Sequence, residues 1–275
     1  MTYIKRLFRL LRAYRATSTL VYHGISPSPS PNSVLRQDVP SRVFEIHMRS
    51  LHERGMRAEG LRRDVVIGPT GVNERCLLLT FDDGYLDTYQ YAFPILQRYG
   101  FSATVFLVTD SIGKMRHWGC SKPVPLMGWA HIKEMSAYGI SFHSHTCTHP
   151  DLTAISHERA SYELIYSKKT IEDKLGLPAD YIAYPFGAFN RTVMGLAEDA
   201  GYTDAYAGGP TANERFCRER FAIQSSDGKL RFRLKTNAWS SWVRTLCRGR
   251  LTSCHPVTSC ADGMTVTSTA DTGSR

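Results

Sequence analysis

Two pairs of residues in this chain have the types and spacing of a metal-assisted hydrolytic site. The stretch SFHSHTCTHPDL, residues 141–152, places His145 and His149 four residues apart after a short apolar run, and Pro150 excludes a helix interior there. The stretch LLLTFDDG, residues 77–84, ends a buried apolar run on two adjacent carboxylates, Asp82 and Asp83. Two imidazoles brought together by a turn can grip one ion, and one carboxylate completes the set that holds a catalytic zinc while leaving a position for water. Like charges at a strand end need a cation or a shared proton. Taken singly, Asp-Asp-Gly is a common solvated turn. A single histidine is more often a core or surface residue, which is the reading for His47, His52, His117, His131, His143 and His157. The two pairs together favour the metal.

The elements that must position these pairs alternate along the chain. Apolar, β-rich runs predict strands at Thr19–Tyr22, Cys76–Phe81, 102–109, 140–143, 181–184 and 202–206. Between them, helical spacing predicts a helix sharing Phe44, Met48 and Leu51 on one face. A second runs through Tyr89, Phe93 and Leu96 with a kink at Pro94, and a third covers 129–138. A long one over 156–175 is ended by Gly176, and a last one over 192–200 is stopped by Gly201. A Pro/Ser-rich loop fills 26–40. Strand and helix in alternation imply parallel strands covered by helices, hence an open or closed α/β barrel. In such folds sites are built at the carboxyl ends of strands, which is where both pairs fall.

Composition sets the outer bounds. With 275 residues and 42% hydrophobic content, the chain can bury a substantial core. The net charge of +9 favours an anionic partner, whether nucleic acid, membrane surface or substrate, without choosing among them. Seven cysteines without a C-x-x-C pair lean towards a reducing compartment. No apolar run is long enough for a transmembrane helix, and MTYIKRLFRLLRAYRATS lacks the unbroken apolar core of a secretory signal. A cytoplasmic protein is the simplest reading. Residues 1–18 read as a basic amphipathic helix, suited either to peripheral association with the inner membrane through residues 3–15 or to docking on the domain. Residues 19–239 form the expected catalytic domain. Residues 240–275, rich in Thr, Ser, Cys and Gly, read as a poorly ordered tail.

These motifs resemble the polysaccharide deacetylases with the NodB homology domain, carbohydrate esterase family 4. The signature T-F-D-D-G stands unbroken at 80–84, and S-H-T-x-T-H-P-x-L at 144–152. LVYHGIS near the start, FPILQRYGFSATVFLVT after the first signature and YPFGAFN at 184–190 fit as well. The likeness covers roughly residues 19–237. It implies a distorted (β/α) barrel of about seven parallel strands that removes N- or O-acetyl groups from an acetylated sugar or glycan with a divalent metal, zinc being the expected ion. By position, Asp83, His145 and His149 match the metal ligands, Asp82 the general base, and the backbone N–H of Phe186 the oxyanion donor. A metal acidifies a bound water, and a carboxylate beside it can take the remaining proton.

Two departures stand out. The family's third signature commonly begins with an Arg that orients the base, and here Ala183 holds that place. The late Leu-His that supplies the general acid is missing, since no histidine lies between His157 and His255. Relatives with an early Tyr-His segment use that histidine instead, which makes His23 the acid candidate, expected across the pocket from Asp82, with His255 or a water as the fallback. Two rival functions are a non-catalytic glycan-binding or scaffolding descendant and a phosphodiesterase acting on nucleic acid. No Arg/Lys cluster flanks either signature in the sequence, so nucleic acid is not an expected partner.

Overall fold

The computed structural model describes residues 18–27, 38–62, 76–116, 123–209, 211 and 213–236. The N-terminal amphipathic segment up to residue 17, the 240–275 tail, His117 and His255 lie outside them. Among the described residues no helix is long and apolar enough to cross a membrane.

In chain order the elements that matter are β1 (Thr19–Tyr22), α1 (Ser41–Glu53), β2 (Arg57–Glu59), β3 (Cys76–Phe81) and α2 (Phe93–Tyr99). Then follow β4 (Thr104–Leu107), α3 (Trp129–Tyr138), β5 (Ser141–Ser144), α4 (His157–Leu175) and β6 (Tyr181–Ala183). The chain continues through α5 (Arg191–Asp199), β7 (Asp204–Tyr206), β8 (Phe221–Ala222) and α6 (Lys229–Lys235). The strands form one curled sheet in the order β7-β6-β5-β4-β3-β1-β8, with every pairing parallel. β2 pairs with the first half of β3, and β4 with its second half. This is the α/β barrel of about seven parallel strands that the sequence predicts. Strands such as TLVY, TVFL and YIA are buried along their whole length, because helices cover the sheet.

Local chemistry accounts for most boundaries. The α4 helix starts where the Ser156 side chain accepts from the Arg159 N–H and stops at left-handed Gly176. The Asn190 side chain caps α5 in the same way. Three boundaries bear on the expectations. The helix through Tyr89, Phe93 and Leu96 departs from α geometry just before Pro94, where a π turn, Thr88–Ala92, runs into α2. The α5 helix ends at Asp199 with Ala200 as its cap, and Gly201 stops it as expected: at φ 80° it turns the chain so that the Gly201 and Tyr202 amides donate to the Glu198 and Ala197 carbonyls at 2.9 and 3.2 Å. The segment 202–206 is extended only from Asp204.

The barrel seam is closed by 217–222. Arg218 bridges to Tyr206, and Phe221 pairs with Leu20 of β1. His47 anchors the chain that follows. Its Nε2 lies 2.6 Å from the Asp227 carbonyl, which can only accept, so Nε2 carries the proton. Nδ1 then accepts from the Tyr22 hydroxyl at 3.0 Å, and the ring stacks on Phe232 with centroids 4.0 Å apart.

Burial pushes the His47 imidazole down to about 4, with Asp227 opposing and Lys235 assisting. The folded value lies below the unfolded one near 6.5, so the stability of the neutral ring is complete above pH 6.5 and lost as pH falls towards 4. Between pH 7 and pH 5 the wild-type chain should therefore lose about 2 kcal/mol relative to His47→Gln, which does not titrate. Urea unfolding at the two pH values measures this, and parallel stability curves would contradict it.

Candidate active site

Strand register brings the chemical residues together. β1 and β3 are in register at Tyr22↔Phe81, so the next residues, His23 and Asp82, emerge side by side from the sheet. β4 and β5 are in register at Leu107↔Ser144, and the chain beyond Ser144 turns back with Thr146 and His149 at left-handed φ values of 69° and 63°. Asp83 is left-handed too, at φ 69°. Adjacent carboxylates are thereby aimed at different partners.

Asp83 faces the histidines. Its Oδ1 lies 3.6 Å from His145 Nε2 and 3.3 Å from His149 Nε2, and all three residues are buried. Donor atoms around a tetrahedral zinc with bonds of about 2.0–2.1 Å sit about 3.3 Å apart, which the two distances from Asp83 approach, and all three donor atoms lie within 4.8 Å of one another, close enough to share one ion. The pocket is also poor without one: Asp83 Oδ1 is a buried carboxylate oxygen that accepts no hydrogen bond among the described residues. The His145 Nδ1–H donates to the Ala183 carbonyl at 2.7 Å, which turns Nε2 towards Asp83. Burial, with His145 alongside, pushes the His149 imidazole down to about 3, so it stays in the neutral form that binds metals.

Asp82 faces a cation instead. Arg220 grips it with two bonds, Nη1 to Oδ1 at 2.7 Å and Nη2 to Oδ2 at 2.8 Å, and both groups are buried. Burial pushes the Asp82 carboxyl up, but Arg220, helped by His145 and His23, holds it well below the usual carboxylate range. Arg220 is in place because it lies on the seam segment, where its Nε–H donates to the Ala207 carbonyl. Asp82 Oδ2 is also 3.9 Å from His23 Nε2. His23 therefore stands beside Asp82 and not across the pocket from it, since neighbouring strands in register cannot put successive end residues on opposite walls. Its imidazole is lowered by burial and by Arg220 and His145, against the pull of Asp82 and Asp83.

With this geometry in place, the comparisons with known proteins are direct. The polysaccharide deacetylase family model matches residues 70–205. YxkH of Bacillus subtilis, a candidate polysaccharide deacetylase, is 34% identical over 198 residues, 71% of this chain and 66% of its own length. The chain belongs to the polysaccharide deacetylase family. The poly-beta-1,6-N-acetyl-D-glucosamine N-deacetylase of Staphylococcus aureus is 28% identical over 140 residues, 46% of each chain. The alignments thus leave a third or more of each relative's length unmatched. Among solved structures, the Streptococcus pyogenes deacetylase PplD superposes with a TM-score of 0.69 at 24% identity, over 80% of this chain and 98% of that one, a likeness of fold.

In this member of the polysaccharide deacetylase family the third-signature turn, Pro185–Gly187, is a left-handed one. Phe186 has φ 58° and ψ 5°, its ring is 68% exposed at the mouth of the site, and it meets His149 edge-on at 4.7 Å. Gly187 must stay glycine, because a Cβ there would come within 2.6 Å of the Gly208 backbone nitrogen. Of six described non-glycine residues at positive φ, four are Asp83, Thr146, His149 and Phe186. Backbone strain of about 1–3 kcal/mol each persists only where the surroundings enforce it, and it gathers here.

Two arginines escaped the sequence reading. Arg116 places Nη2 3.7 Å from Asp83 Oδ2, stacks over the Tyr85 ring and hydrogen-bonds its hydroxyl. Ala183, where the family resemblance implied an Arg that orients the base, offers Asp82 no cation, and Arg220 pairs with Asp82 in this chain. The one sequence signal was the pair of buried carboxylates, which needed a cation of unspecified origin.

Arg220→Met should strip Asp82 of its partner and cost roughly 3–5 kcal/mol of stability, the usual penalty for an orphaned buried charge. The Arg220→Met/Asp82→Asn double variant should recover a good part of that. Denaturant unfolding of the four proteins of this cycle gives the coupling, and strictly additive losses would show that the pair is not energetically linked.

Proposed function

We propose that this chain is a metal-dependent hydrolase that removes acetyl groups, N-acetyl foremost, from an amino sugar or glycan. The observation that carries the proposal is the Asp83, His145 and His149 set, beside an ion-paired Asp82, at the strand ends of a polysaccharide deacetylase fold. Its relative from S. aureus, named for N-deacetylation of a glucosamine polymer, supports the N-acetyl reading.

A divalent ion held by Asp83, His145 and His149, zinc on the strength of the donor set, would polarise the acetyl carbonyl and acidify a water. Asp82, kept ionised and aimed by Arg220, accepts the proton of the attacking water. The Phe186 N–H donates to the oxygen that becomes negative. His23 delivers a proton to the departing amine nitrogen, and its position beside Asp82 puts proton acceptor and donor on one side of the pocket. Acetate and a free amine are the products. Retention of every one of these side chains favours catalysis over a binding-only role. We place the protein in the cytoplasm, with residues 3–15 at the inner face of the membrane.

The test is acetate release by the purified, zinc-loaded chain from β-1,6- and β-1,4-linked N-acetylglucosamine oligomers, with O-acetylated xylan as the O-acetyl arm. Release from either N-acetyl substrate supports the proposal. Release from xylan alone changes the bond attacked, and none from any of the three refutes the activity.

A further inference from the structure

The turn that carries His149 is held by a residue outside both signatures. Glu163 lies in the middle of α4 and is completely buried, yet its carboxylate faces the turn and not the helix. Its Oε2 accepts the backbone N–H of Cys147 at 2.7 Å and of Thr148 at 2.8 Å. Its Oε1 accepts the Thr148 hydroxyl at 2.7 Å and the Arg159 guanidinium at 2.6 Å. Four donors thus converge on two oxygens. Two successive amides pointing at one oxygen form a small anion-binding concavity, here filled by the protein's own carboxylate.

The turn needs such support. Thr146 and His149 both hold left-handed φ values that side-chain-bearing residues rarely adopt. On the opposite side the Thr146 and Cys147 carbonyls accept from the Thr109 and Asp110 amides at 3.1 and 3.0 Å. Glu163 therefore closes the second side of a clamp on the two residues between Thr146 and His149. Without it, two amides and a hydroxyl would lose their acceptor, and the turn could relax towards ordinary φ values, swinging the His149 imidazole away from Asp83.

We infer that Glu163 is a positioning residue for the metal centre: by fixing the 146–149 turn it holds His149 at ligand distance. This rests on the metal-dependent reading above. An amide in its place keeps one acceptor for Cys147 and Thr148 but presents an NH₂ group to Arg159, so Gln should give an intermediate result.

Zinc titration of the metal-free, full-length chain tests this without reference to activity. Glu163→Ala should bind zinc about 10- to 100-fold more weakly than wild type, the usual range for loss of a group that supports a ligand. Glu163→Gln should fall between the two, about 3- to 10-fold weaker than wild type. Arg159→Ala, which removes only the exposed ion-pair partner, should stay within about twofold. If Glu163→Ala does not fold, the Gln variant carries the test. Zinc binding by Glu163→Gln equal to wild type overturns the inference, as does an Arg159→Ala loss as large as that of the Glu163 variants. Absence of zinc binding by the wild-type chain refutes instead the metal reading on which it rests.

Discussion

Replacing His145 and His149 together by Ala should yield a chain that takes up no zinc and releases no acetate. Each imidazole nitrogen lies within 3.6 Å of Asp83 Oδ1, and a lone carboxylate cannot hold a borderline-soft ion against water. Both rings also pack, His145 donating to the Ala183 carbonyl at 2.7 Å and His149 meeting Phe186 edge-on at 4.7 Å, so a loss of ligation has to be told from a loss of folding. Metal analysis of the purified double variant, alongside its thermal unfolding, checks both halves. A variant that keeps a full equivalent of zinc would mean that the ion sits elsewhere, and the hydrolytic proposal would lose its centre.

Asp82→Asn should do the converse, keeping the metal and losing the rate. Asp82 is turned from Asp83 towards Arg220 and His23, and it lies outside the group of donor atoms that can share an ion. Asn retains the shape and one oxygen for Arg220 but cannot accept the proton of a water. The rate of acetate release should fall on the order of 10²- to 10⁴-fold, the scale of general base catalysis, while zinc affinity stays within a few-fold of wild type. A fall of that size in kcat with little change in KM would place the loss in the transition state. An active Asn variant would remove Asp82 as the base. Loss of zinc together with activity would mean that the two carboxylates share the ion.

Much of this molecule was legible in its sequence because the information is local. The helix over 157–175 carries its own Ser156 and Gly176 caps. Cys76–Phe81 reads as a strand because a parallel strand covered on both faces is a continuous apolar run. The Asp82-Asp83 and His145/His149 pairs declare themselves by spacing, and strand ends are the one place in this architecture where such groups converge. The element edge that went astray is the strand expected from 202, which begins at Asp204 because the Tyr202 amide still closes the end of α5 on the Ala197 carbonyl.

What the sequence by itself determined was the fold class, the two histidines and two carboxylates of the candidate metal site, and the need of a second carboxylate for a partner. Only the tertiary structure decided who that partner is and how the groups stand. Arg220 is 138 residues from Asp82 and reaches it because a two-residue strand, too short to be read, closes the barrel seam there. His23 stands beside Asp82 because β1 and β3 are in register at Tyr22↔Phe81. Glu163 reads as an ordinary helix glutamate until α4 is laid against the 146–149 turn. The physical reason is common to all three. Strand order, register and helix docking are set by summed burial and hydrogen bonding over the whole core, so the neighbours they create across long stretches of chain leave no mark at either position alone.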